Sequence, residues 1–460
     1  MGYRDFALKN LARFGPRYLP FADVATDEVP LSRLLRLSLF QVTVGMTLVL
    51  LAGTLNRVMI VEMGVHASIV SIMLAMPLLF APFRTLIGFK SDTNKSALGL
   101  KRVPWIWKGT IYQFGGFAMM PFALLVLSGF GESYDAPRWI GISAAALAFL
   151  LVGAGAHIVQ TAGLALATDL VEEEDHPKVV GLMYVMLLFG SVAAALIYGF
   201  LLANYTPGRL IQVIQGTAVV SVALNMAALW RQEAFDREKA RQMEAAVHPT
   251  FRQAFNELMA RKGMLPLLIV IALGTFGYGM CDVLLEPYGG QALGLTVGQT
   301  TKLSALFAFG TLTGFGLASK VLGNGMKPMH LGLIGAIIGV PGFAAIIYSS
   351  LLPLFAFFVL GTYVVGFGIG LFGHATLTAT MRAAPADRIG LALGAWGAVQ
   401  ATAAGLGIAL AGIVRDGLVA LPNTFGSGVA GPYNAVFALE AFLLLIAIVF
   451  AVPLALSRDK

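Results

Sequence analysis

Residues 56–64, NRVMIVEMG, return in altered form at residues 281–289 as CDVLLEPYG, each near the end of a long apolar run. A second pair follows in the same order: TLIGF at Thr85–Phe89 and TLTGF at Thr311–Phe315, after which Pro104 and Pro328 open the next apolar runs. One matching pentapeptide among apolar residues carries little weight. Two matches in register, on either side of a charged central stretch, indicate a duplicated chain.

Working outward from these repeats, the sequence divides into apolar segments at 34–61, 67–89, 103–129, 138–168, 178–204 and 208–230, then 263–288, 298–322, 328–350, 353–382, 387–414 and 431–456. With 58% hydrophobic and 12% charged residues and a mean hydropathy of +0.80, the 460-residue chain has too little polar surface to enclose a water-soluble core of this size. In hydrocarbon every backbone amide must be satisfied within its own segment, so runs of about 20 apolar residues are helices. The expected fold is an all-α polytopic membrane protein of 12 transmembrane helices in two six-helix, pseudo-symmetric bundles. Its expected divisions are a cytoplasmic N-terminal segment (1–33), a first bundle (34–230), a linker (231–262) and a second bundle (263–460).

Charge placement sets the orientation. All but five of the 31 Lys and Arg fall in segments or helix ends on the side of the N-terminus, the exceptions being Arg57, Arg138, Arg209, Lys302 and Arg415. This positive-inside asymmetry predicts both termini in the cytoplasm. Attraction to anionic membrane lipids then accounts for the net charge of +7 without a nucleic-acid partner. The N-terminal stretch has no cleavable signal pattern, and the single cysteine, Cys281, is expected to be a buried packing residue. In the linker, Thr250 can cap a helix with Phe251, Phe255, Leu258 and Met259 on one face, suited either to a connector at the membrane interface or to partner docking.

Ionisable residues in hydrocarbon are costly and therefore candidates for function. Asp282 and Glu286 stand one turn apart on span seven, which Pro287, Gly289 and Gly290 are expected to break. The repeat sets Arg57 opposite Asp282, with Glu62 nearby, which predicts a charge pair closing the outer side. The alternatives are interfacial charges that snorkel to water, or proton coupling through Asp282 or Glu286. His157 and His374 occupy equivalent spans and are flanked by small residues. Each is a candidate axial ligand for the magnesium of a chlorophyll-type ring, or a histidine bonded to a neighbouring helix in a tightly packed contact. Gln160, Thr161, Gln212, Gln215 and Gln400 fit interhelical hydrogen bonding, and the acidic run Glu172–Asp175 fits a solvated turn or a docking point. No Walker loop, HExxH or cysteine pair at metal-ligand spacing occurs, so no resident metal and no enzyme activity are expected.

The duplicated layout resembles the major facilitator superfamily, whose two bundles rock about a midplane cavity. GFKSD, with Gly88 and Asp92 followed by Lys95, Lys101 and Arg102, looks like a reduced form of that superfamily's loop latch; Ala318 stands where the second half would need its acid. Four longer strings are more specific: LPFADVATDEVPLSRLLRLSLFQVTVGM (Leu19–Met46), GTLNRVMIVEMG (Gly53–Gly64), PFRTLIGFKSD (Pro82–Asp92) and DVLLEPYGG (Asp282–Gly290). They resemble the PucC/LhaA family of light-harvesting assembly factors, also described as bacteriochlorophyll-delivery proteins. That resemblance implies a membrane protein of purple phototrophic bacteria with bacteriochlorophyll as cargo and carotenoid as a further candidate. It also implies light-harvesting alpha and beta polypeptides as partners, most of all those of the peripheral antenna LH2, with pigment-synthesis enzymes as further candidates. Two other readings stay open: a proton-coupled transporter of a small solute, and a scaffold that handles no pigment.

Overall fold

The computed structural model describes residues 24–26, 29–79, 100, 102–129, 135–172, 175–232, 259–261, 263–352, 355–383, 389–421 and 428–456. Among these residues the regular structure is entirely helical. The helices are α1 (Leu31–Glu62), α2 (Ala67–Leu79), α3 (Val103–Ser128), α4 (Arg138–Thr168), α5 (His176–Leu201) and α6 (Pro207–Leu229), then α7 (Met264–Gln291), α8 (Val297–Gly323), α9 (Pro328–Leu351), α10 (Phe355–Ala383), α11 (Ile389–Val419) and α12 (Ala430–Leu456). Eleven are long and apolar enough to cross a bilayer; α2 reaches Leu79, where the described residues stop. Gly88, Asp92, Lys101 and TLIGF lie outside the described residues, as do Thr250, Phe251, Phe255 and Leu258 of the linker.

Local chemistry sets the helix ends. Prolines occupy the first turns of α3, α6 and α9, where a missing N–H costs nothing. Thr296 and Gln299 form a reciprocal capping box at the start of α8. Gly129 ends α3 at φ 62°, a left-handed conformation that needs no Cβ, and its N–H meets the carbonyls of Leu125 and Val126.

The duplication is visible in the packing. In one half α3 lies on α4 and α1 on α5 and α6; in the other, α9 lies on α10 and α7 on α11 and α12. The two most extensive seams between the halves are α2 against α11 and α5 against α8, and the end of α1 also meets α7 and α8. Lipid offers no hydrophobic drive for such contacts, so they depend on close backbone approach. A Cβ added at Gly412 of α11 would collide with Ser71 Oγ and the Ala67 carbonyl of α2, and one at Gly298 of α8 would stand 2.8 Å from the Gly199 carbonyl of α5. Ala318 is fully buried in a small core with Leu322, Leu331, Leu371 and Ala375, a position with no room for a latch carboxylate.

Candidate functional site

The side of the bundle on which the odd-numbered helices end is called here the far side, and the opposite one, which carries the start of α1, the near side. On the far side α1 widens into π-helical turns at Val49–Leu55 and Val58–Glu62, a distortion that often accompanies function. These turns hold Asn56 and Arg57 against α7 and the loop after it.

The expected break of span seven at Pro287 is not found. α7 continues to Gln291 with Pro287 inside it, and its irregularity lies earlier, at Met280, where two segments meet. Neighbouring helices repair both defects. Pro287 has no N–H for the carbonyl of Val283 four residues back, and Asn56 Nδ2 donates to that oxygen at 2.6 Å from the other half. At the junction, the Cys281 N–H donates to Glu440 Oε1 of α12 at 2.6 Å, with Glu440 fully buried. Irregular backbone within a membrane requires such outside partners. Cys281 itself is buried, as expected, and its Sγ donates to the Tyr278 carbonyl.

The expected Arg57–Asp282 pair is also corrected. Arg57 is buried; its Nη1 donates to Glu62 Oε1 on its own helix and its Nη2 to the Leu295 carbonyl at 2.8 Å, beyond the end of α7. The repeat identified the right two stretches, but the π-turns swing Arg57 past Asp282. Asp282 is exposed in the first turn of the segment that begins at Cys281. Glu286 is buried, accepts a hydrogen bond from Ser304 Oγ, and rests on Gly53 of α1, where a Cβ would come within 2.6 Å of Oε1. Its Oε2 is buried and has no hydrogen-bond partner among the described residues.

A second far-side clasp gave no signal at the sequence level beyond Arg415. Asp416 of α11 accepts the Ser68 backbone N–H at 2.8 Å and so caps α2 across the seam, with His66 Nδ1 4.0 Å away. Arg415 holds Asp416 at 2.8 Å and Gln291 at 2.7 Å, and lies over the Tyr433 ring. Thr54 and Thr301 meet at 3.3 Å between α1 and α8. These bonds between the halves gather on the far side. On the near side the contact is aromatic: Tyr184 of α5 lies 6.4 Å from Phe315 and 6.3 Å from Trp396.

The remaining candidates are dispersed. Arg102 Nε donates to Asp169 Oδ2 at 2.9 Å, tying the start of α3 to the end of α4. His374 is buried with its ring 4.2 Å from Phe315, so a macrocycle approaching that face would have to displace the phenyl ring. His157 is half-buried on α4. Most of the small residues near both serve helix contacts: Gly153 meets Pro77, Gly155 meets Gln113, and Gly368 and Gly370 meet Gly335 and Thr311, whereas a Cβ on Gly373 would meet nothing within 4 Å. Gln160 bonds Gln41 across helices at 3.5 Å. Among the described residues no cluster of His, Cys, Asp or Glu is arranged to hold a metal.

Residues 54–459 match the family described as PUCC protein. The chain is 79% identical to Protein PucC of Rhodobacter capsulatus over 99% of each chain, and 57% identical to Protein PucC of Cereibacter sphaeroides over 97% of each. Among solved structures it is similar to a bacterial homologue of the human lysosomal transporter Spinster in an inward-facing, occupied conformation. The TM-score there is 0.61 at 16% identity, covering 92% of this chain and 96% of that one. A likeness at that identity is one of fold, and the fold is that of the major facilitator transporters. With a family pattern spanning nearly the whole chain and relatives of this identity, the protein belongs to the PUCC protein family.

Proposed function

We propose that this protein is a non-enzymatic assembly factor for bacterial light-harvesting complexes, which takes up bacteriochlorophyll between its two halves and releases it to single-span antenna polypeptides, those of LH2 foremost. Family membership supports the assembly role. The observation that carries the mechanism is the asymmetry of the seam: directional hydrogen bonds join the halves on the far side, and aromatic rings meet in tilted and edge-on contacts on the near side. With both termini cytoplasmic, the far side is periplasmic, and the halves rock: they part toward the cytoplasm and the adjoining leaflet while the far-side bonds hold, and part on the far side when those bonds break. A lipophilic tetrapyrrole then comes in sideways from the membrane. Of the two imidazoles, half-buried His157 presents surface for contact with it, whereas His374 contributes packing.

The test is to purify the protein from cells unable to make bacteriochlorophyll, add pigment and record the absorption spectrum. Saturable uptake with a shifted band, altered by His157→Ala and unaltered by His374→Ala, is the expected result. Failure of uptake leaves the scaffold reading. One feature favours a second reading, proton-driven transport of a small solute: Glu286 and Glu440 are carboxyl groups buried within the spans. Transport of protons with a solute, in vesicles free of antenna polypeptides, would support that reading.

A further inference from the structure

Away from the seam, α5 and α6 splay apart over α1 and leave a groove of about 600 Å³, within the range of small-molecule sites. Val42 and Met46 of α1 form its floor, with Gly190, Ala194, Ile197 and Leu201 of α5 on one side and Gly216 and Val220 of α6 on the other. It runs ~22 Å along α6 from Arg209 to Leu224, a length that one extended acyl chain fills. Its inner polar groups are already satisfied: Thr217 Oγ1 donates to the Val213 carbonyl at 2.7 Å and accepts from the Tyr198 hydroxyl at 2.8 Å. The body of the groove therefore asks for hydrocarbon.

Its far-side end differs. There Arg209 is exposed at the first turn of α6, and Gln212 lies one turn further on. No imidazole lines the groove to hold a tetrapyrrole metal. The geometry points to a binding site for one anionic phospholipid of the far-side leaflet, its acyl chain between α5 and α6 and its phosphate on Arg209. The cation at one end and the dry, satisfied channel behind it match that one molecule in charge and in shape. A neutral isoprenoid would leave Arg209 without a counter-charge.

Gly216 allows a clean test, because a Cβ built on it meets nothing within 4 Å and a larger side chain enters the groove without disturbing a helix contact. The protein is placed in phosphatidylcholine nanodiscs containing a phosphatidylglycerol with a photoreactive acyl chain, and the labelled peptides are mapped. Labelling at Ile197 and Val220 is expected, cut by about tenfold in Gly216→Phe, a change of that size reflecting loss of one specific site. Arg209→Gln should keep chain labelling while erasing an approximately fivefold preference for the anionic over the zwitterionic probe, the contribution expected of one basic residue. Thermal midpoints verify folding, and Val220→Trp fills the same space should the phenylalanine variant not be recovered. Equal labelling of filled and open grooves overturns the proposal. So does labelling that bacteriochlorophyll displaces and unlabelled phosphatidylglycerol does not, since that result gives the groove to a pigment tail.

Discussion

Asn56 in the first half donates its hydrogen bond to the Val283 carbonyl in the second, at 2.6 Å, because Pro287 leaves that carbonyl with no donor in its own helix. A local defect in one half is thereby made into a bond between halves. In water the carbonyl would find a solvent partner; inside the membrane only the other bundle supplies one.

A mutant cycle follows from this. Asn56→Leu leaves a buried carbonyl without a partner and should destabilise the closed far side by about 1–3 kcal/mol. Pro287→Ala gives α7 its own N–H donor, so adding it to Asn56→Leu should recover most of that loss. Thermal midpoints of the four proteins in one detergent check the cycle. Simple additivity of the two substitutions would show that the carbonyl is satisfied by some other group.

The Asp416 clasp makes a separate prediction. Asp416→Ala removes the acceptor that caps α2 across the seam, a loss of about 1 kcal/mol. The far-side-open population should rise by approximately fivefold. Reaction of an engineered far-side cysteine at position 68 with a membrane-impermeant thiol reagent reports it, compared with the same cysteine in a chain that keeps Asp416.

The position of Arg57 separates two pairings. Exchanging Arg57 and Glu62 should preserve part of the assembly activity, whereas exchanging Arg57 and Asp282 should not. Glu62→Gln should be more harmful than Arg57→Gln, because it strands a buried cation while the reverse change strands only a partly exposed carboxylate. Antenna absorbance in complemented cells ranks the variants.

These positions also mark the limits of what the sequence discloses. The duplication, the helical spans and the meeting of residues 56–64 with residues 281–289 follow from apolar periodicity and repeat register, and the helices and their packing agree. The partners within that meeting do not follow, because π-turns in α1 shift the register of its side chains. Pro287 reads as a helix end only while its lost hydrogen bond is assumed to stay unreplaced. Glu440 was legible in principle as a lone acid in the twelfth span, yet its role at the Cys281 N–H depends on a kink 159 residues away in sequence. Asp416 reads as the neighbour of a basic residue until α2 is seen to begin beneath it.

Glu440 gives a prediction within one half. Glu440→Gln keeps an acceptor oxygen for the Cys281 N–H and should fold nearly as well as the parent. Glu440→Leu leaves that N–H buried and unpaired, at a cost of about 1–3 kcal/mol, read as a lower thermal midpoint and faster exchange of the Cys281 amide.

The central claim, that the halves part and close during antenna assembly, is tested most directly by locking the far side. Thr54 and Thr301 face each other at 3.3 Å between α1 and α8, and cysteines in their place should form a disulfide across the seam. The measurement is LH2 absorbance in a strain whose only copy of the protein carries both cysteines. Loss of antenna under oxidising conditions, with recovery on reduction and no loss in either single-cysteine strain, is the result the account predicts. Undiminished LH2 from a chain shown to be fully cross-linked would contradict it.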